Sequence, residues 1–213
     1  MTLDNIARVK ADFVGGAKRA LVAGFEYLEI HFAHGYLAHE FYSPLSNQRT
    51  DQYGGSFENR IRFLMETFKA VRGVWPERLP LTVRLSVTDW IEGGVTVEES
   101  IELTRRLKRA RLDLLDVSHG FITPRIDVIP WGEGMMLAAA GRIRREAEIA
   151  TTTSWLITDP HQAEAALQAG EVDLVMLGRE LLRDPYWPYH AAKVLGVEGA
   201  AAILPVQYAR AVG

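Results

Sequence analysis

Residues 81–118 read LTVRLSVTDWIEGGVTVEESIELTRRLKRARLDLLDVS, and this stretch decides the fold. Residues 81–87 alternate apolar and polar side chains, as a strand covered on one face does. Thr96-Val97-Glu98-Glu99 then has the Ser/Thr-x-x-Glu form of a capping box, in which the hydroxyl bonds a backbone N–H of the first helical turn. Residues 112–118 return to a short, mostly apolar run. A strand, a helix and a strand in that order imply a right-handed crossover between parallel strands.

The same succession continues in both directions. Toward the N-terminus, residues 4–23 carry Ile6, Val9, Phe13, Val14, Ala17, Ala20 and Leu21 at helical spacing, after the capping candidates Thr2 and Asp4 and before Gly24 as a C′ residue. The Gly15-Gly16 pair inside that helix costs roughly 1 kcal/mol per glycine relative to alanine. Residues 27–32 read as a strand. A long loop follows, and then a helix opened by Ser56-Phe57-Glu58-Asn59 with Ile61, Leu64, Met65, Phe68 and Val71 on one face, ended by Trp75-Pro76. Toward the C-terminus come a long loop, a helix around 137–147, a strand near 151–157, a helix started by Asp159-Pro160 and a strand over 172–178. Short helices over 180–182 and 187–195 finish the chain. Five strands separated by helices predict an α/β fold, a parallel sheet of about five βα units forming a partial (β/α)8 TIM barrel. Residues 1–213 are read as a single domain, three units short of a closed barrel. Ala33-His34-Gly35-Tyr36 stands where a dinucleotide fold would carry its Gly-x-Gly-x-x-Gly turn.

The chain of 213 residues is 48% hydrophobic and 24% charged, which excludes collagen, disorder and low complexity. Its 24 Lys+Arg and 27 Asp+Glu are interspersed at a net charge of −3, so no basic field exists to hold nucleic acid or an anionic membrane. No apolar run approaches the ~18–20 residues of a membrane span. The segment MTLDNIARVK lacks the apolar core of a signal peptide, and a cytoplasmic location is expected. Without Cys there is no disulfide scaffold, thiolate nucleophile or Cys-ligated metal, which fits a reducing compartment.

In a TIM barrel the chemistry gathers where strands end and loops begin. Here those ends carry His31, Ser86, Ser118 and Gly178-Arg179. Alternation along 81–87 turns Thr82, Arg84 and Ser86 to the inner face, where a buried guanidinium needs an anion or strong acceptors. One reading is an internal ion pair with Glu29 of the preceding strand. The other adds contact with a ligand carbonyl or developing anion. His31, His34 and Tyr36 place two imidazoles and a phenol within six residues. They read as a His-x-x-His metal pair lacking an evident third ligand, as donors to a substrate carbonyl with Tyr36 supplying a proton, or as hydrogen-bonded core groups. No metal is expected. Gly178-Arg179 offers a backbone amide and a cation to a phosphate. Residues 49–55 read as a tight structural loop with an Arg49–Asp51 contact. A Schiff-base lyase or isomerase would want a strand-end lysine, whereas Lys69, Lys108 and Lys193 fall on helical stretches.

One string is more specific than any of these: residues 31–36, then Phe41-Tyr42-Ser43-Pro44, then residues 46–56 (SNQRTDQYGGS) and Asn59-Arg60. It resembles the Old Yellow Enzyme family of FMN-dependent ene-reductases. The likeness continues through 81–86, 112–118, Ile129-Pro130-Trp131-Gly132, 172–179 and Asp184-Pro185-Tyr186-Trp187-Pro188, nearest the xenobiotic-reductase branch of the bacterial class. The resemblance implies hydride transfer from NAD(P)H to an activated alkene, with FMN as cofactor. It implies that His31 and His34 anchor the alkene's carbonyl, that Tyr36 donates the proton, and that Arg84 faces the flavin's pyrimidine edge. Gly178 and Arg179 would hold the FMN phosphate. Residues 204–210 resemble the family tail that places an arginine at a neighbouring subunit's active site, which makes Arg210 a substrate-binding candidate and a homo-oligomer the expected assembly. The match covers only the C-terminal portion of a family member, without its first three strands, so a missing N-terminal barrel portion is the alternative partner. Trp155 or Leu156 also replaces a glycine that lets the family's backbone approach the phosphate. A truncated, catalytically incomplete remnant or assembly module is the competing expectation.

Overall fold

The computed structural model describes residues 1–212. Strands β1 (Leu28–Phe32), β2 (Leu81–Ser86), β3 (Leu114–Ser118), β4 (Ala150–Thr153) and β5 (Leu174–Val175) form one sheet in chain order, every pair parallel. β1 and β5 are the two edges, so the sheet is an open arc and not a closed barrel.

The helices are α1 (Leu3–Val22), α2 (Leu37–Tyr42), α3 (Phe57–Arg60), α4 (Arg62–Arg72), α5 (Val97–Arg109), α6 (Leu137–Ala147), α7 (Pro160–Gln168), α8 (Arg179–Arg183), α9 (Trp187–Val194) and α10 (Val206–Val212). Four begin at the caps their sequence announces. Thr2, Ser56 and Thr96 each accept the backbone N–H three residues on, and Asp159 accepts from His161 and Gln162 ahead of Pro160. Gly24, at φ +87°, closes α1 as expected. Phe63, Leu64 and Phe68 of α4, Leu103 and Leu107 of α5 and Ile143 of α6 pack with Leu81, Val83, Leu85, Leu115 and Val117 of the sheet in one buried core. Helices therefore cover the apolar face, and the polar residues of the strands face the concave side.

Sequence and structure part in four places. The strand expected at 151–157 stops at Thr153, and the one expected at 172–178 shrinks to Leu174–Val175, because β5 meets only Thr152 and Thr153 of its neighbour. The helix opened at Ser56 breaks at Ile61 into α3 and α4. The long loop after β1 contains α2, whose six residues are too few to reveal a period.

Leu85 is wholly buried in that core while Leu182 is 86% exposed. Leu85→Ala is expected to lower the unfolding free energy by about 2–5 kcal/mol, and Leu182→Ala to change it by less than about 0.5 kcal/mol. Urea denaturation of both variants checks this; equal effects would mean that the helices do not pack on that face.

Candidate active site

Strand register assembles the site. His31 of β1 lies beside Arg84 of β2, Arg84 beside Asp116 of β3, and Asp116 beside Thr152 of β4. One row nearer the loops, Ser86 pairs with Ser118. Because strands in a parallel sheet lie about 4.8 Å apart, a row of this kind brings side chains from distant parts of the sequence into contact. Arg84 Nε stands 3.1 Å from Asp116 Oδ2, and an Arg84 terminal nitrogen donates to Ser154 Oγ at 3.2 Å. Asp116 is completely buried, yet neither of its oxygens accepts a hydrogen bond, and Arg84 Nε is likewise without an acceptor. Burial pushes the Asp116 carboxyl up to about 7, with Arg84 opposing the shift and Glu29 adding to it. Glu29 is itself raised by burial against the pull of Arg84.

The segment after β1 is held by backbone constraint. His34 and Gly35 both take left-handed conformations, at φ +62° and +74°. A Cβ on Gly35 would lie 2.3 Å from the Phe121 carbonyl oxygen, so only glycine fits this approach of two loops. The His34 amide donates to Ser86 Oγ at 2.9 Å, and the Gly35 amide to His39 Nδ1 at 3.0 Å. His39 Nδ1 is thereby an acceptor, which leaves Nε2–H to donate to Asp89 at 2.9 Å. Asp89 also accepts from Ser43 Oγ and the Val95 amide. This buried His39–Asp89 pair locks the loop after β1 that carries His34 and Tyr36, whose rings lie against that of His31: His31–His34 centroids at 4.9 Å and His31–Tyr36 at 5.5 Å.

Above the row lies an aromatic cluster. Trp155 Nε1 donates to Ser118 Oγ at 2.8 Å, and the same hydroxyl meets His34 Nε2 at 2.5 Å. The Trp155 ring centroid is 4.3 Å from that of His119 and 5.8–6.0 Å from Phe121, Trp131 and His34. Burial lowers His34 to about 3, with Arg84 adding to the shift, and lowers His119 to about 4. His31 shifts down for the same two reasons as His34. All three imidazoles are therefore neutral at pH 7. Among the described residues no group of three or more His, Asp or Glu stands close enough to hold a metal ion.

Residues 1–198 match the family described as NADH:flavin oxidoreductase / NADH oxidase. The chain belongs to that family.

It is 52% identical over 211 residues to an NADPH dehydrogenase of Geobacillus thermodenitrificans and 44% identical to one of Bacillus subtilis, covering 99% of this chain but 60% of each relative. The chain thus spans about three-fifths of the length of these relatives. Among solved structures it resembles a 2-naphthoyl-CoA reductase complex (TM-score 0.85, 31% identity, 91% of this chain and 30% of that one). It also resembles morphinone reductase in complex with tetrahydroNAD (TM-score 0.73, 28% identity, 92% and 50%). A third likeness is to the Old Yellow Enzyme homologue of Zymomonas mobilis (TM-score 0.72, 27% identity, 92% and 54%). These likenesses fit a partial TIM barrel of the Old Yellow Enzyme type.

Within this family member, the expected site residues fall into two groups. His31, His34, Tyr36 and Arg84 come together at the ends of β1 and β2, with Tyr36 65% exposed at the start of α2. Gly178 and Arg179 are both exposed at the start of α8, and a Cβ on Gly178 would meet nothing within 4 Å. Arg210 is exposed on α10. The expected Arg49–Asp51 contact is present at 2.5 Å. One expectation is corrected: the ion-pair partner of Arg84 is Asp116, whereas Glu29 sits beside Thr82 and accepts its hydroxyl at 3.3 Å. Register explains the difference, since Asp116 and not Glu29 lies in the row of Arg84. Sequence reading passed over Asp116, His119, His39 and Asp89. Asp116 has a signal, a lone acid at an inner-face position of an otherwise apolar strand.

A carboxyl with a raised folded-state value binds more protons folded than unfolded as pH climbs, so it removes stability with rising pH. Wild type should lose stability relative to Asp116→Asn between about pH 4, where an ordinary Asp ionises, and about pH 7, with a constant difference above that. Thermal melts across pH 4–8 measure it; a gap that does not change with pH would mean that Asp116 ionises normally.

Proposed function

We propose that this site serves an FMN-dependent oxidoreductase that passes hydride from NAD(P)H to an activated alkene. The observation that carries the reading is the convergence of neutral His31 and His34, Tyr36 and the incompletely bonded Arg84 on one strand-end surface. The donor set fits a flavin. Arg84 pairs with Asp116 through Nε while its side chain stays 25% exposed, so its terminal N–H groups can meet a ring's pyrimidine edge, and the reachable Gly178 amide and the Arg179 cation suit a phosphate. When bound, FMN supplies the two-electron chemistry between NAD(P)H and the alkene.

The chain's own residues do the rest. His31 and His34, neutral imidazoles in a low-dielectric setting, each present one N–H to the alkene's carbonyl oxygen and polarise the double bond. His34 Nε2 exchanges its contact with Ser118 Oγ for that role. Tyr36 holds the proton that is delivered to the carbon beside the carbonyl. Arg84, pinned by Asp116, favours negative charge on the reduced ring. Arg210 of a neighbouring copy in a homo-oligomer, or an N-terminal barrel portion, completes the substrate pocket. A cytoplasmic setting agrees with the lack of Cys.

A second reading, a catalytically incomplete remnant or assembly module, is favoured by the open sheet and by Trp155 lying over the strand ends. Incubation with FMN followed by gel filtration separates the two. The oxidoreductase retains flavin absorbance that NAD(P)H bleaches, and the remnant elutes colourless. Tyr36→Phe should lower the rate of alkene reduction by about 10²-fold while leaving flavin bleaching by NAD(P)H intact; unchanged alkene turnover would remove Tyr36 as the proton donor.

A further inference from the structure

His119 is, with Asp116, one of two completely buried titratable groups among the described residues whose polar side-chain atoms all lack a hydrogen-bond partner. It is completely buried at the end of β3, and neither ring nitrogen has a hydrogen-bond partner. Leaving such a group unpaired costs free energy, so its presence calls for an explanation. Its surroundings are aromatic: Trp90, Phe121, Trp131 and Trp155 all lie within 6.0 Å by centroid, Trp155 the nearest at 4.3 Å. The Trp155 indole covers three groups at once. It stacks obliquely on His119, donates to Ser118 Oγ and meets the edge of His34, so one planar bicyclic ring with one N–H spans from the end of β1 to the end of β3. The backbone around it is held away from its relaxed form. His34, Trp90, Phe121 and Leu156 have φ values of +62°, +60°, +69° and +54°, four of the six non-glycine left-handed residues in the described chain.

We propose that Trp155 and a flavin ring compete for one place above Ser118 and His119, and that His119 becomes a ring-contacting residue once the indole is displaced. The inference rests on the FMN reading and adds to it a residue and a displacement that the reading does not contain. Both rings are flat, both offer an N–H edge, and both suit a surface of imidazoles and a hydroxyl. A polar heterocycle has one advantage over indole, whose pyrrole N–H is only a donor: its carbonyls and ring nitrogens can satisfy His119 as well as Ser118. If the receptive arrangement is only a fraction of the population, the apparent dissociation constant rises by the inverse of that fraction. Removing the indole removes this factor.

The test uses the full chain and FMN itself. Trp155→Ala should bind FMN about tenfold or more tightly than wild type, which corresponds to about 1.4 kcal/mol of displaced contact. Adding His119→Phe, which keeps the ring but removes both nitrogens, should weaken FMN binding about fivefold, as the loss of one hydrogen bond does. A second readout is taken on wild type and does not depend on the truncating variants: with 5-fluorotryptophan incorporated, the Trp155 fluorine resonance, assigned by its absence in the conservative Trp155→Phe, should move to a solvent-exposed position when wild type takes up FMN. FMN binding with an unmoved Trp155 resonance, or with equal affinity in a folded Trp155→Ala chain, overturns the proposal and leaves the FMN reading standing. Absence of FMN binding in both wild type and folded Trp155→Ala overturns both.

Discussion

A guanidinium and a carboxylate have to be housed inside a sheet, and the geometry of the site follows from how this is done. Arg84 and Asp116 face each other across the β2–β3 ladder, on the face that the helices leave uncovered. Isolated burial of either charge would cost several kcal/mol, so each requires the other and the pair requires the register. Shifting β2 by one residue against β3 would send Arg84 into the helical layer and Leu85 into the polar row. The pair therefore acts as a register constraint that also leaves donor and acceptor capacity unspent, since Arg84 Nε and both Asp116 oxygens lack hydrogen bonds. A structure optimised for stability alone would fill that row with apolar side chains.

The histidine loop depends on a second buried pair. His39 and Asp89 are completely or almost completely buried, and their bond joins the start of α2 to the loop after β2. Asp89 sits below its ordinary value although burial opposes this, because His39, Ser43 and the Val95 amide all stabilise the ionised form. Asp116, with its single misaligned cation, goes the other way. The contrast separates two tasks performed by similar groups. A fully hydrogen-bonded carboxylate fixes a loop, whereas an incompletely bonded one leaves its neighbour available to a ligand.

Much of this was legible in the residues. The order of strands and helices followed from period and caps, and alternation along β2 correctly turned Arg84 inward, because both signals are local. The cluster of His31, His34 and Tyr36 was legible for the same reason, lying within six residues of one strand end. What escaped was set by pairing across long separations. Glu29 and Asp116 both stand on inner-face positions of strands flanking β2, and only the register distinguishes them. His119 and Trp155 are 36 positions apart in sequence, and nothing local indicates that their rings meet. α2 is short, and its anchor, Asp89, lies 50 residues from His39.

A double-mutant cycle on Arg84 and Asp116 tests the central claim most directly, with Arg84→Met, Asp116→Leu and the pair compared by urea denaturation at pH 8. Each single variant leaves one ionisable group buried without its partner and should lose about 3 kcal/mol or more, whereas the double variant should lie closer to wild type than either. Additive losses, with the double variant the least stable of all, would contradict the view that this pair holds the site together.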